Sequence, residues 1–462
     1  MLMKKTLSVL LLALALNASD IGISKALTLD EAIEILKSKN LEIKSASLDV
    51  DSAKVEIDTA SGNHWGKLDF VQDFVNSNDA GNVFGFKLTS READFNDFGF
   101  DEFLAQMSGL PGNINTLLAT QPDNLNYPSS RNFFQSKLKY EVPLFTGFQI
   151  SSYVEIMESM SKMKSLEKKQ VINEQIYQLR KSFYDMALLR SSSKNLNKIL
   201  SNIETLENMT KEMIAVGYAK KVDLLEVQAK KGNVERLLLQ MKSNQELLYH
   251  FISFLLNEKV SDITTTVSDV EMPELNNSDI LNNNLDIKRA TTGLEVRQSM
   301  LDVSKSSYYP MIGAFAEVST ADDTFLGDAY DHKAYTVGAR LTWNIFNGGI
   351  DNANIEKSRI EQLKTKTQVE LAKKGITLKI DKIRTEIETY NLEISSLNKE
   401  LLLANEIYKN YEGRYREKLT SMSDVIIKQS EQIQKILELQ MAKNKRNERI
   451  FALEKLANGE NR

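Results

Sequence analysis

The chain contains no cysteine. That excludes disulfides and thiolate metal sites, and it excludes a lipid-modified N-terminal cysteine, which needs the thiol. Histidine is scarce as well: His64, His250 and His332 are the only three, far apart and in dissimilar settings. No phosphate-cradling glycine loop occurs, and acidic pairs such as Glu386 with Glu388, or Asp322 with Asp323, read as solvated faces or loop residues. An enzyme therefore finds no support, and no catalytic, cofactor-binding or metal-ligating residue is expected. The formal charge of −5 is dispersed along the chain, which gives no reason to expect nucleic acid as a partner. Beyond the N-terminus no apolar run approaches the roughly 18 residues that a membrane-spanning helix needs.

The N-terminus itself reads as a secretory signal peptide over residues 1–26. Lys4 and Lys5 precede an apolar run from Leu7 to Leu16, and small residues follow at Ala18 and at Ser24-Lys25-Ala26. Cleavage is expected after residue 18 or 26. A cut at Ala18 removes both lysines and takes the charge to −7.

Proline and glycine are missing altogether between Phe148 and Val216. Apolar residues recur there in steps of three and four, through Ile172, Ile176, Leu179, Phe183, Met186, Leu196, Ile199, Ile203, Leu206 and Met213. A seven-residue repeat sustained this long is the pattern of a left-handed supercoiled helix. At 1.5 Å per residue it would be roughly 100 Å long. The stretch is also duplicated. Pro143-Leu144-Phe145-Thr146-Gly147 precedes it, and Asn344-Ile345-Phe346-Asn347-Gly348 lies 201 positions later. The same shift carries its far end, Val216 to Leu224, onto Glu417 to Val425. The second rod has its own heptads, from Ile380 through Ile387, Ile394, Leu401 and Tyr408 to Tyr415. Tyr408, Tyr411 and Tyr415 read as packed seam residues. Return helices are expected from Leu224 to Leu256 and from Ser423 to about Ala457.

A helical stretch from Leu29 to about Ser61 has a twin as well. Leu41-Glu42-Ile43-Lys44-Ser45-Ala46 matches Leu285-Asp286-Ile287-Lys288-Arg289-Ala290, at a shift of 244. The two shifts differ by 43 residues, so the first copy carries an insertion of that size. It falls at about 77–130, rich in Asn, Asp, Gly and Phe, and reads as a long loop with short helical pieces. The organisation is thus a first repeat at 27–256, a connector at 257–278 and a second repeat at 279–462.

Each repeat holds two strand candidates, of which the second is clearer. Phe134, Leu138, Tyr140, Val142 and Leu144 alternate with Gln135, Lys137, Lys139 and Glu141; Tyr335, Val337, Ala339, Leu341, Trp343 and Ile345 alternate with Thr336, Gly338, Arg340, Thr342 and Asn344. The first strands are expected at Leu68 to Phe74 and Ile312 to Val318. Such alternation suits a strand between lipid and a watery lumen, and equally the edge of a soluble sandwich. Four strands cannot close a barrel, and open edges are not tolerated in a bilayer, so strands must be pooled between chains.

The duplicated helix-strand-strand-helix, the two Phe-x-Gly junctions, and Gly217 followed by Asp223-Leu224-Leu225-Glu226-Val227-Gln228 resemble the TolC-type outer-membrane efflux proteins. The likeness runs over essentially all of the chain beyond the leader, and Val83 to Leu88 with Leu125 to Pro128 is similar to a surface insertion of that family. The resemblance implies a mixed fold: a homotrimer with a twelve-stranded transmembrane β-barrel, four strands per chain, continued by a long α-helical coiled-coil barrel in the periplasm. It implies an outer-membrane exit duct for a tripartite efflux or type I secretion system, partnered by a periplasmic adaptor, an inner-membrane pump and outer-membrane lipid. It assigns Val216, Gly217, Tyr218, Lys418 and Leu419 to the adaptor-contacting tip, with Lys418 where the family has Gly. Asp424, Asp223 and Tyr415 fall at the periplasmic aperture: Asp424 matches an aperture Asp, and Asp223 with Tyr415 matches a tip link. Ile427 and Thr420 stand where the family has a second Asp and an Arg. The rival reading is an exported structural coiled-coil rod without channel activity, which explains the heptads but not the duplicated strands.

Overall fold

The computed structural model describes residues 26–109, 114–265 and 270–458. The leader expected at 1–26 lies outside these, apart from Ala26. The chain divides into two compact units that both draw on the two sequence repeats. One takes the stretch ending at Val50 with Lys164–Ala290 and Val369–Arg462; the other takes Asp51–Met163 and Thr291–Gln368.

The first repeat runs α1 (Leu29–Lys39), α2 (Leu41–Gly62), β1 (Lys67–Ser77), four short helices α3 (Ala80–Thr89), α4 (Phe100–Gly109), α5 (Ile114–Leu118) and α6 (Asp123–Asn126), then β2 (Arg131–Phe145), α7 (Gln149–Ala215) and α8 (Lys221–Leu256). The second runs α9 (Asn277–Asn283), α10 (Leu285–Lys305), β3 (Met311–Asp322), β4 (Lys333–Thr342), α11 (Ile350–Arg416) and α12 (Met422–Leu456). Both α7 and α11 are 67 residues long, the equal lengths read from the matched spacings. Gly375 and Gly413 do not interrupt α11. The helical pieces expected in the insertion are α3 to α6.

The single helix expected from Leu29 to Ser61 is two helices. Asn40 takes an extended conformation (ψ 128°) and breaks the run. Its Nδ2 donates to the Leu255 carbonyl at 2.8 Å, and its Oδ1 accepts from the Ile43 N–H at 3.0 Å. One side chain thus caps the end of α8 and the start of α2. Asn284, 244 positions on, does the same between Leu456 O (3.0 Å) and Ile287 N (3.1 Å). The surrounding cores repeat in step. Leu179, Met186, Ile252 and Leu255 occupy one cluster, and Ile380, Ile387, Leu453 and Leu456 occupy its twin.

Each Phe-x-Gly junction is a pair of left-handed residues: Gly147 and Phe148 (φ 62° and 69°), and Gly348 and Gly349 (φ 70° and 86°). At Gly147 a Cβ would lie 2.7 Å from the Ser306 carbonyl oxygen, so only glycine fits between β2 and α7.

The strands form one antiparallel sheet in the order β1-β2-β3-β4. Its register sorts the faces. Phe70, Leu138, Val318 and Tyr335 lie in one cross-strand row, and Leu68, Tyr140, Ala316 and Val337 in another. The opposite face carries Lys137 paired to Asp73 at 3.2 Å, Lys67 paired to Asp69 at 3.1 Å, and Arg340. The alternation read from sequence is therefore real. β2 is longer than expected and takes Pro143 at a bulge between Pro143 and Phe145, where the missing N–H does least harm. β4 is shorter: it stops at Thr342, opposite Met311, rather than continuing through Trp343 to Ile345. Pro310 precedes Met311, and the Trp343 indole N–H donates instead to the Tyr308 carbonyl at 3.2 Å. The outer sides of β1 and β4 have no strand partner among the described residues.

Candidate functional site at the two helix turns

The α7–α8 and α11–α12 turns are built alike. Gly217 has φ 81°, its N–H bonds Ile214 O at 3.0 Å, and Tyr218 N–H reaches back to Met213 O at 2.8 Å. Lys418 has φ 64°, its N–H bonds Tyr415 O at 2.9 Å, and Leu419 N–H reaches Arg414 O at 2.8 Å. This double bond pattern around a left-handed residue closes a helix C-terminus. Lysine thus adopts the glycine conformation in the second turn, at a steric cost that Gly217 escapes. No atom lies within 4 Å of a Cβ built on Gly217. Gly217→Ala is accordingly expected to loosen the turn by about 1–2 kcal/mol through backbone strain alone. The check is faster hydrogen exchange at the Tyr218 amide with no change in assembly.

The two turns touch within one chain. The Lys418 ammonium sits 3.3 Å from the Tyr218 ring centroid, a cation–π contact. Ser423 Oγ donates to Glu226 Oε2 at 3.0 Å. Val216, Tyr218 and Leu419 are exposed at 65%, 65% and 66%, so the apolar part of the tip faces outward. Beneath them Val227, Met422 and Val425 are buried with Tyr408 and Tyr415.

Asp424 is the third residue of α12 and completes a capping box with Ser421. Its Oδ2 accepts from Ser421 Oγ (2.6 Å), Thr420 Oγ1 (3.0 Å) and Ser421 N (3.3 Å), while Ser421 Oγ accepts from Asp424 N. These bonds, from the Ser421 hydroxyl first, hold the carboxyl below the usual carboxylate range, so it stays charged at neutral pH. Asp223 plays the matching part in α8, accepting from Lys220 N at 2.7 Å. Tyr415 is not hydrogen-bonded to it. The Tyr415 ring is buried; burial pushes the pKa of its hydroxyl up, Thr210 offsets part of that, and the nearby Asp223 charge adds to it. Thr420, where the resembling family has Arg, spends its hydroxyl on Asp424 within the same chain.

Glu207 joins α7 to α8 about two helical turns before the end of α7. Lys211, Gln228 and Lys231 hydrogen-bond it and hold its carboxyl at about 2. A depressed carboxylate stabilises the pair fully above the ordinary Glu range and loses that contribution as pH falls toward 2.

Sequence reasoning located the turns but missed the Lys418–Tyr218 and Ser423–Glu226 contacts. The Ser421-to-Asp424 spacing was the one available signal, a capping-box pattern before an apolar run.

A sequence model of the outer membrane efflux protein family matches residues 277–459. The match falls on the second repeat. The likeness of fold extends over nearly the whole chain. The CusC transmembrane channel is 13% identical with a TM-score of 0.75, covering 93% of this chain and 91% of its own. The open-state outer membrane channel MtrE of Neisseria gonorrhoeae is 14% identical with a TM-score of 0.71, covering 93% and 88%. The outer membrane protein VceC of Vibrio cholerae is 14% identical with a TM-score of 0.72, covering 93% and 96%. No curated protein matches. The resemblance drawn from the motifs is thus met by the family match and by the fold, with its helical majority and four-stranded sheet per chain. Among the described residues no helix is long and apolar enough to cross a membrane.

Proposed function

We propose that this chain is an outer membrane efflux protein, the exit duct of a tripartite efflux or type I secretion system. A trimer of identical chains would close a twelve-stranded barrel in the outer membrane, with the two repeats (27–256 and 279–462) continuing as a coiled-coil conduit in the periplasm. The observation that carries this is the sheet: one face apolar, the other charged, and both edges without a strand partner among the described residues. In a bilayer each unpaired edge must be covered, and the β4 edge of one copy is the available partner for the β1 edge of the next. The 67-residue helices then supply roughly 100 Å of reach. The exposed Val216, Gly217, Tyr218, Lys418 and Leu419 would meet a periplasmic adaptor at the far end, and the adaptor would bring the pump.

Protein extracted in mild detergent is expected to be a trimer that conducts ions in planar bilayers. A folded, monodisperse monomer, or a rod that dissolves in buffer without detergent, rejects the duct. The Asp424 carboxylates of three copies would ring the narrow end and favour cations. Asp424→Asn keeps an oxygen for the Ser421 cap but removes the charge, so cation selectivity is expected to fall while stability changes little. Recordings identical to wild type would leave Asp424 as a helix cap and nothing more.

A further inference from the structure

At the rim of the sheet from which the insertion departs, four separate stretches converge. Arg131 opens β2, Asp322 ends β3, His332 immediately precedes β4, and Glu92 follows α3 in the insertion. Glu92, Asp322 and His332 each offer one ligand atom, and these atoms all lie within 4.8 Å of one another. We propose that this trio is a binding site for a divalent transition-metal ion of the zinc type, clamping the insertion of the first repeat to the β3–β4 loop of the second.

Three observations point to a cation there. His332 Nδ1 is sealed from solvent and has no hydrogen-bond partner, and it lies 3.5 Å from Asp322 Oδ2. Ligands of a tetrahedral zinc ion, with bonds of about 2.0–2.2 Å, stand roughly 3.4 Å apart, so this pair already has the spacing of two ligands. Glu92 has one oxygen to give. Oε2 takes both Arg131 Nη2 and Ser90 Oγ, and no hydrogen bond among the described residues reaches Oε1. Asp322 is held rigidly in place. Its Oδ1 accepts from Asp323 N and its Oδ2 from Asp328 N, both at 2.6 Å, and a second lone pair of Oδ2 remains. A proton on Nδ1 would serve Asp322 alone; an ion serves all three groups and offsets two carboxylate charges that Arg131 only half answers. One imidazole with two carboxylates suits zinc and its neighbours, whereas calcium and magnesium prefer oxygen throughout.

The test uses the full chain in detergent, stripped with chelator and titrated with Zn2+ at neutral pH. His64→Gln and His250→Gln are included so that His332 is the sole histidine. One Zn2+ per chain is expected, with affinity at least tenfold weaker in His332→Gln and weaker than in the parent in Glu92→Gln alone. Zn2+ should also slow proteolysis within the insertion of the parent protein but not of His332→Gln. The two substitutions lie on different stretches, so a folding failure of one leaves the other to decide. Absence of a one-per-chain site, or affinity unmoved by both changes, overturns the proposal.

Discussion

Leu138→Arg is expected to cut the amount of membrane-assembled protein at least tenfold, whereas Lys137→Gln is expected to assemble as wild type does. The two residues are neighbours in β2 but lie on opposite faces, because side chains alternate along a strand. Leu138 sits in the apolar row with Phe70, Val318 and Tyr335. Lys137 sits on the charged face, paired with Asp73. An arginine on a lipid-facing position costs roughly 2–4 kcal/mol near the bilayer midplane, and a ring of copies incurs it once per copy. Removing Lys137 instead leaves a half-exposed carboxylate in water. Outer-membrane fractionation and heat-dependent gel mobility read the outcome. Equal behaviour of the two variants would falsify the assignment of faces.

The second large effect is expected at the repeated asparagines. Asn40→Leu and Asn284→Leu should each destabilise the helical unit by about 2–4 kcal/mol. Each side chain satisfies one carbonyl and one N–H in a buried setting, and leucine would strand both, at about 1–3 kcal/mol apiece. Asn40→Asp should fall between, since it keeps the acceptor for Ile43 N and loses the donor to Leu255 O. Denaturant midpoints of the helical signal give the ranking. A leucine variant as stable as the parent would mean that the surrounding helix ends find other partners.

The same asparagines show where the sequence was legible and where it was not. Long helices, their equal lengths and the strand alternation were readable because each depends on many residues repeating at a fixed period. Asn40 was hidden because a polar residue within a helical run looks like a solvated position. Its partner is 215 residues away, and no local pattern announces such a bond. The available clue was that Asn40 and Asn284 both stand immediately before the matched Leu-x-Ile-Lys segments. The end of β4 was misplaced for a related reason. Trp343 and Ile345 keep the alternation, but a strand needs a partner, and β3 supplies none beyond Met311. At the tip, the turns were read correctly, while the pairing of Lys418 with Tyr218 depends on bringing residues of different repeats together. The gathering of Glu92, Asp322 and His332 depends on sheet register in the same way.

In the proposed trimeric barrel, the sheet edges left without a strand partner among the described residues bear on mixed populations. A ring has as many joints as copies, and a copy with one spoiled edge breaks the whole ring rather than its own share of it. In a ring of three, when half of the copies carry such a defect, only about one ring in eight is made wholly of sound copies. A proline set into the outer side of β4 should therefore behave as a dominant lesion, suppressing export in cells that still make the normal protein. A defect confined to the helix turns leaves the barrel closed and should be recessive for assembly.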